Sequence, residues 1–397
     1  MNNKLFLAVV ALFATTICTA GENEKANPNK PVFTVVKQNP ITSVKDQNQS
    51  GTCWDYSTMS YFEAEILKST GKTYDLCESF VANKTYMDRA IQVVRLHGDC
   101  QFSEGGASND VLYAIQNYGI CPEDAMPLPG TPQGDSLYNF NEFFSLMTPY
   151  VQGVAKSSAK KISNQWKEGL QGILDAYLGK CPENFNYQGK NYTPQSFAAS
   201  LGLDYTTFTS YTHHPFWTSF AVEVQDNWRN PLSWNIPIED IEKIIDNAVM
   251  NGYTVAWGGD VSEDGFTRTG LAYMIDTKKM ENLKGSDMAK WLKLAPAKKK
   301  SLVDSLGVDV PESGVSQKLR QENYDNWQLT DDHGMLIYGI AKDQKGKEYY
   351  MVKNSWGETG EYKGTWYMTK SFILNNLMDM MINKNAVPKD IRKKLDI

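Results

Sequence analysis

The composition of this 397-residue chain is that of a folded globular protein, with 41% hydrophobic and 22% charged residues. These values exclude a disordered, collagen-like or many-spanning membrane protein. At about 150 residues per domain, the length suggests two or three domains, or one large domain that carries insertions. The formal net charge of −6 repels phosphate groups, so we expect no nucleic-acid partner.

The first segment, residues 1–20, is predicted to be a secretory signal peptide. Lys4 gives it a positive start, residues 5–17 carry no charge, and small residues follow up to Ala20. This order is typical of such peptides. The uncharged run is too short for a membrane-spanning helix, which needs about 20 residues. We therefore expect cleavage near Ala20, a periplasmic or secreted protein, and no stable insertion into a membrane.

The next part of the chain is predicted to be helical after an exposed polar strap over residues 21–50. Apolar side chains spaced three and four residues apart, together with cap residues, indicate the helices. These cover Cys53–Thr70, which Gly71 ends, then 79–97, 108–118, 155–180 and Ile238–Val249, which stops at Gly252.

After Gly252 the pattern changes to short runs of aromatic and branched residues, which are typical of strands. The predicted strands cover Tyr253–Trp257, Met335–Ala341, Tyr349–Val352 and Thr365–Met368. A Lys-rich stretch with helical pieces, residues 277–325, lies between the first and the second strand. Its run Lys298-Lys299-Lys300 is predicted to be a solvated face.

The cysteines and histidines offer little for a metal. Loss of Cys18 with the signal peptide leaves an odd number of cysteines, so at least one thiol stays free or pairs between chains. Neither Cys-x-x-Cys nor His-Glu-x-x-His occurs, and we predict no metal site and no cofactor. His213 and His214 are interpreted as loop residues without chemistry. The candidates for disulfides, whose pairing the spacing leaves open, are Cys77, Cys100, Cys121 and Cys181.

Four residue types that suit nucleophilic catalysis occur in order along the chain. Cys53 stands at a predicted helix N-terminus, which favours a thiolate. Gln47 lies in a turn that can bring its amide beside the sulfur, as an oxyanion donor. His333 begins a predicted strand and Asn354 ends its hairpin partner, so the amide can orient the ring of a general base.

Each of these residues also has a structural reading when it is taken alone. Cys53 could be a small buried hydrophobe, His333 a strand histidine, and Asn354 a turn residue. The pair Gly105-Gly106 could be a plain tight turn. Their joint occurrence favours the catalytic interpretation.

The segments around these residues resemble a known family. Residues 47–54 (QNQSGTCW), 332–334 (DHG) and 353–357 (KNSWG) resemble the nucleophile, histidine and asparagine segments of papain-like cysteine peptidases. His333 follows Cys53 by 280 residues, whereas ordinary papain-like enzymes have about 130–150. The chain therefore resembles the bleomycin hydrolase and aminopeptidase C branch, whose members carry large helical insertions. Residues 103–106 and 111–119 resemble that branch as well, and the likeness runs from about residue 35 to the C-terminus.

This resemblance implies an α+β, papain-like two-lobe fold with a helical lobe, an antiparallel β-barrel-like lobe and large helical insertions. The expected units are the signal peptide (1–20), the strap and helical lobe (21–130), a helical insertion (131–252), the β lobe (253–276 and 326–375), a Lys-rich helical insertion (277–325) and a C-terminal tail (376–397).

The resemblance also implies roles for individual residues. Cys53 would be the nucleophile, His333 the base, Asn354 its orienter and Gln47 the oxyanion donor. Trp356 would cover the contact between His333 and Asn354, and Gly105 and Gly106 would offer bare backbone to an extended substrate. Two positions depart from the family pattern: Asp55 stands where a small or apolar residue is common, and Gly334 where Ala is usual.

We therefore expect an exported cysteine peptidase that hydrolyses peptide bonds through a thioester on Cys53. By resemblance it would form a homo-hexamer, with residues 277–325 as a contact segment. In that branch a C-terminal arm presents its terminal carboxylate to the substrate amine. Residues 392–397 look too short and too basic for this role, so we expect an open cleft and, besides the aminopeptidase activity that the resemblance implies, cleavage of N-terminally blocked or internal peptide bonds. The alternatives are a catalytically silent exported peptide-binding module and a structural protein with an adhesive aromatic surface.

Overall fold

The structure is a computed structural model that describes residues 27–128, 138–281, 291 and 294–397. The predicted signal peptide, residues 1–20, lies outside these ranges. Among the described helices, none combines the length and the apolar character that crossing a membrane requires.

Helices dominate the first half of the described residues. The twelve α-helices there and beyond are α1 (Cys53–Thr70), α2 (Glu78–Arg95), α3 (Ser108–Tyr118), α4 (Phe140–Ala155), α5 (Gln165–Leu178), α6 (Pro194–Leu201), α7 (Ile238–Met250), α8 (Thr277–Glu281), α9 (Pro296–Leu306), α10 (Gln317–Asp325), α11 (Lys370–Asn375) and α12 (Lys389–Leu395).

The strands of the described residues lie mainly in the second half. They are β1 (Thr34–Gln38), β2 (Phe185–Tyr187), β3 (Lys190–Tyr192), β4 (Thr206–Thr209), β5 (Thr218–Phe220), β6 (Ser233–Asn235), β7 (Val255–Gly259), β8 (Leu271–Ala272), β9 (His333–Lys342), β10 (Glu348–Lys353), β11 (Thr365–Thr369) and β12 (Leu377–Ile382).

Ten of these strands form one sheet in the order β5-β6-β4-β12-β7-β9-β10-β11-β8, with β1 also paired to β9. β7 pairs with the first half of β9 and β1 with the second half, both antiparallel. β4 with β6, and β8 with β11, are the parallel pairs. β2 and β3 form a separate hairpin.

The helix predictions for the helical lobe agree well with the structure. α1 and α3 have the predicted bounds, and α2 and α7 differ from prediction by at most two residues at either end. Gly71 ends α1 in the left-handed conformation, with φ of 70°, and its N–H bonds to the carbonyl of Leu67. Glycine adopts this conformation without steric cost, which is why it closes helices.

The helix predicted over residues 155–180 starts about ten residues too early, because α4 ends at Ala155 and α5 begins at Gln165 after a break. In the break, the hydroxyls of Ser157 and Ser163 accept hydrogen bonds from the backbone N–H groups of Ala159 and Gln165. Serine side chains that bond to the nearby backbone compete with the helix and favour turns.

The predicted strap is partly a strand. Residues Thr34–Gln38 form β1, which extends the sheet beside β9 and is mostly exposed. Further along, the ammonium of Lys45 lies 3.1 Å from the carboxylate of Glu63 on α1 and 2.7 Å from that of Glu78 on α2. These contacts attach the strap to the helical lobe just before Gln47.

The segment 376–397, which we expected to be a tail, contains β12 and α12. β12 lies between β4 and β7 in the middle of the sheet, and Leu377, Met380 and Met381 are at most 1% exposed. A strand that is buried on both faces shows no polar alternation, so periodicity did not reveal it. The expected helical insertion 131–252 likewise supplies β4, β5 and β6 to the sheet.

Two apolar clusters meet at the sheet. One contains side chains of α1, α2 and α3 together with Leu336 and Met381, and the other contains side chains of α7 together with Ile337 and Met380. Successive strand residues point to opposite faces, so β9 and β12 take part in both clusters. α1 packs on β9 and β7. The structure thus confirms an α+β fold with a helical lobe and a β lobe.

The five described cysteines are all free thiols. Cys77 and Cys121 are buried, and Cys53, Cys100 and Cys181 are partly buried. The backbone N–H of Cys77 bonds to the carbonyl of Cys121 at 3.1 Å, so these two residues are neighbours. None of the four disulfide candidates is paired.

Candidate active site

A cleft of about 820 Å³, partly open to solvent, lies between the two lobes. Cys53, Gly105 and Gly106 line it from the helical lobe, and His333 lines it from the β lobe. The residues predicted as nucleophile and base therefore face the same space, together with the two glycines predicted to contact substrate.

Cys53 is the first residue of α1, and its position depends on a glycine in β9. A Cβ atom on Gly334 would lie 2.5 Å from Oγ of Ser57 and 3.0 Å from the carbonyl oxygen of Cys53. Because Gly334 has no side chain, β9 starts in direct contact with the N-terminus of α1. The backbone N–H groups of Gly334 and Trp54 bond to the sulfur and act to lower the pKa of the Cys53 thiol.

His333 is the first residue of β9, where the strand register places it opposite Gly259 of β7. Its side chain is 5% exposed, and ring atom Nε2 lies 2.8 Å from Oδ1 of Asn354. Asn354 follows directly after β10, the hairpin partner of β9. Adjacent strands thus bring the two side chains together, as the strand assignment predicted.

The same amide determines which nitrogen of the ring is basic. Oδ1 of Asn354 also accepts a hydrogen bond from the backbone N–H of Ser355 at 2.8 Å. This second donor identifies the atom as the amide oxygen, so Nε2 of His333 must carry a proton to bond with it. Nδ1 is then the nitrogen with a free lone pair, as a general base requires.

Burial shifts both titratable groups toward their neutral forms. It raises the pKa of the Cys53 thiol to about 12, with the charges of Asp331 and Asp226 adding to the rise and the two backbone N–H groups opposing it. It lowers the pKa of His333 to about 4, against the opposing effect of the bond to Asn354. The sequence predicted a lowered thiol pKa from the helix terminus. In the structure, desolvation outweighs the helix terminus.

Gln47 is held beside the site and is not among the described residues that line the cleft. Its Nε2 donates to the carbonyl of Ser50 at 2.6 Å, and its Oε1 accepts from Oγ of Ser355 at 2.6 Å. Its backbone N–H also bonds to the carbonyl of Ser355 at 2.9 Å. The structure therefore links the predicted oxyanion donor to the segment that carries Asn354.

Trp356 lies over the ring of His333, with ring centroids 4.8 Å apart. It is in turn packed edge-on against Trp366 and Phe266. This position agrees with the predicted role as a cover for the contact between His333 and Asn354. Trp356 itself is absent from the described lining of the cleft.

The sequence reasoning missed a set of acidic residues in the cleft. Asp226, Asp331, Asp332 and Asp379 all line it. Asp331 and Asp332 directly precede His333, so their position next to a predicted catalytic residue was a signal that could have been used. Asp226 and Asp379 come from distant segments, and no local pattern indicates them.

A cluster of His213, His214 and Glu223 lies outside the cleft lining. Nε2 of each histidine is 3.0 Å from an oxygen of the Glu223 carboxylate, and the three ligand-type atoms lie within 4.8 Å of one another. All three side chains are substantially exposed. The sequence analysis assigned these histidines no chemistry, and their contacts are those of a surface hydrogen-bond network.

Comparisons with known proteins agree with this geometry. Residues 31–187 match the model of the papain family of cysteine proteases, and residues 316–397 match that of a peptidase C1-like family. Aminopeptidase C of Lactobacillus delbrueckii subsp. lactis is 23% identical over 402 aligned positions, which cover 89% of this chain and 82% of that protein. Bleomycin hydrolase of Gallus gallus is 21% identical over 398 positions, covering 88% and 82%.

The fold also resembles a solved structure. The crystal structure of PepW from Lactobacillus rhamnosis HN001 matches with a TM-score of 0.67 and 18% identity, over 91% of this chain and 84% of that one. The two family matches together cover more than half of the chain and include Cys53, His333 and Asn354. The chain is therefore similar, along most of its length, to papain-like cysteine peptidases of the aminopeptidase C and bleomycin hydrolase branch.

Proposed function

We propose that this chain hydrolyses peptide bonds through a thioester on Cys53. The observation that supports the proposal is the placement of Cys53 and His333 on one cleft, with Nε2 of His333 bound to the amide oxygen of Asn354. This arrangement leaves the basic nitrogen of the ring available to the thiol. A thiol and a base oriented by a third group are the parts that nucleophilic catalysis needs.

The reaction would proceed in two halves. The Cys53 sulfur attacks the peptide carbonyl carbon while its proton passes to Nδ1 of His333, and the imidazolium then protonates the departing amine. Water, deprotonated by the same ring, hydrolyses the thioester and releases the acid. Because burial favours the neutral thiol and the neutral imidazole, proton transfer would accompany the attack on substrate.

The experiment that tests the proposal compares Cys53→Ala with Cys100→Ala, which removes another partly buried free thiol outside the cleft. Cys53→Ala should abolish hydrolysis of a fluorogenic aminoacyl amide and block alkylation by iodoacetamide at residue 53. Cys100→Ala should keep both the hydrolysis and the alkylation at Cys53. Wild-type protein that binds peptide without turnover would support the silent binding module instead, and hydrolysis by Cys53→Ala at the wild-type rate would exclude the mechanism.

Export is a further proposal, which rests on the sequence of residues 1–20. The mature chain should begin at Gly21 and occur outside the cytoplasm. N-terminal sequencing of the protein from periplasm or medium tests this, and an intact Met1 on the functional form would contradict it.

The proposed hexamer rests on family resemblance. In the contact segment we expected, residues 277–325, α8, α9 and α10 lie within the described part. Light scattering at micromolar concentration should give the mass of six chains, and a monomer would exclude the ring.

A further inference from the structure

One side of the cleft is lined by the segment of residues 222–229, which we call the cover segment. Val222, Val224, Asp226 and Asn227 of this segment line the cleft. They face it near Gly105 and Gly106, the positions predicted to run beside an extended substrate.

Asp226 lies directly on the backbone of Gly105. A Cβ atom added to Gly105 would be only 2.0 Å from Oδ2 of Asp226. The other oxygen, Oδ1, accepts from Nη2 of Arg89 at 3.3 Å and from Oγ of Ser103 at 3.4 Å. Within the described residues, Oδ2 accepts no hydrogen bond.

Arg89 holds this carboxylate in place from inside the helical lobe. The arginine is 0% exposed, and it also donates to the carbonyls of Gln101 and Gly105. The guanidinium is a planar fork that fixes the direction of its bonds. Asp226 is therefore a positioned group, and its side chain is still 25% exposed toward the cleft.

The cover segment is itself attached to two helices. Arg229 forms ion pairs of 2.8 Å with Asp88 on α2 and with Asp110 on α3. Within the segment, Nδ2 of Asn227 donates to the carbonyl of Val222 at 2.9 Å. These contacts oppose movement of the segment away from Gly105.

The side chains that line the cleft suit a ligand with N–H donors. Asp226, Asp331, Asp332 and Asp379 line it, and no lysine or arginine does so among the described residues. Within the same residues, Asp331 and Asp379 have neither an ion pair nor a side-chain hydrogen bond. A group with several N–H donors and a positive charge would satisfy carboxylate oxygens that the protein leaves open.

We propose that Asp226 binds the free N-terminal ammonium of a peptide substrate, and that the cover segment stops the chain beyond it. Asp226 would thus direct the aminopeptidase activity that the family resemblance already implies, in a role that the resemblance does not assign to it. This inference rests on the proposed function, and it opposes the endopeptidase activity that we expected from the short basic C-terminal residues. An N-acetylated peptide would lack the charge and would place its acetyl group where Asp226 lies.

The experiment compares alanyl-7-amido-4-methylcoumarin with its N-acetyl counterpart, using the wild type and Asp226→Asn. The wild type should hydrolyse the free amine and leave the acetylated compound almost uncut. Asp226→Asn keeps the shape and removes the charge, so its kcat/KM for the free amine should fall by about 10–100-fold, mainly through KM. Glu223→Gln makes the same chemical change in the same segment, outside the cleft lining, and should behave like the wild type.

Alkylation of Cys53 by iodoacetamide at the wild-type rate would show that Asp226→Asn keeps an intact site. Wild-type protein that cleaves both compounds equally well would overturn the closure of the cleft. Unchanged KM in Asp226→Asn would overturn the role of its charge. Absence of hydrolysis of either compound by the wild type would instead count against the proposed peptidase function.

Discussion

At the scale of single residues, Gly334 joins the two halves of the site. The family pattern has Ala at this position, but Ser57 and the carbonyl of Cys53 occupy the space that a Cβ would need. The close packing of α1 against β9 therefore requires glycine at position 334 in place of the usual alanine.

Gly334→Ala should destabilise the protein by about 1–3 kcal/mol, since an added methyl forces neighbours to shift, and it should lower kcat by moving Cys53. Urea denaturation and peptide hydrolysis measure the two effects. Gly172→Ala is the matched control, because no atom lies within 4 Å of a Cβ there and α5 should gain about 0.5–1 kcal/mol. Full stability and kcat in Gly334→Ala would show that the contact relaxes freely.

Asp379 gives a pH-dependent prediction. Burial raises its pKa to about 6, above the value of about 3.9 for an unfolded chain. The folded state thus holds this proton more tightly, so stability from this group is complete below pH 4 and is lost as pH rises through 6.

Asp379→Asn should remove this loss of stability at high pH, because an amide does not ionise. It should match the wild type at pH 4 and exceed its free energy of unfolding by about 3 kcal/mol at pH 8. Denaturant titrations at the two pH values measure this, with Glu358→Gln, an exposed carboxylate, as control. A gain that is equal at both pH values would contradict the assignment to the Asp379 charge.

At the scale of elements, α2 and α3 hold the cover segment through Arg229. Asp110 is 2% exposed, and it accepts from the guanidinium and from the backbone N–H of Ala107 at the start of α3. Burial raises the pKa of Asp110, and Arg229 acts in the opposite direction. Loss of the arginine would leave a buried carboxylate without its cation.

Arg229→Met should therefore cost about 3 kcal/mol, in the range for breaking a buried ion pair. It should also loosen the cover segment and raise the rate on N-acetylated substrate. Lys243→Met is the control, since Lys243 is 63% exposed in its pair with Asp240 and such surface pairs contribute little to stability. A loss below about 1 kcal/mol in Arg229→Met would mean that the segment is held by other contacts.

At the scale of the whole molecule, one sheet joins segments from most of the chain. β12, from the last residues, lies between β4 and β7, and β7 pairs with the strand that carries His333. Met381 packs into the cluster of the helical lobe, while its neighbour Met380 packs into that of the β lobe. The C-terminal residues thus support the position of both halves of the site.

The sequence by itself determined the candidate catalytic residues and the local structure around each of them. Cys53 at a helix start, His333 at a strand start and Asn354 after the hairpin partner all follow from short-range signals: caps, glycine and branched residues. The same signals gave the bounds of α1 and α3. Such signals act within a few residues, so they can be recognised in a single sequence.

Features that depend on long-range contacts became visible only in the tertiary structure. Asp226 reaches the cleft from a segment held by Arg89 and Arg229, and β12 enters the middle of the sheet, with no local pattern to indicate either. Burial raises the pKa of the Cys53 thiol. The sequence indicates the helix terminus but not the depth of the cleft, so it could not predict this rise. Desolvation and charge from distant segments depend on how the whole chain packs, and so they appear only when the fold is known.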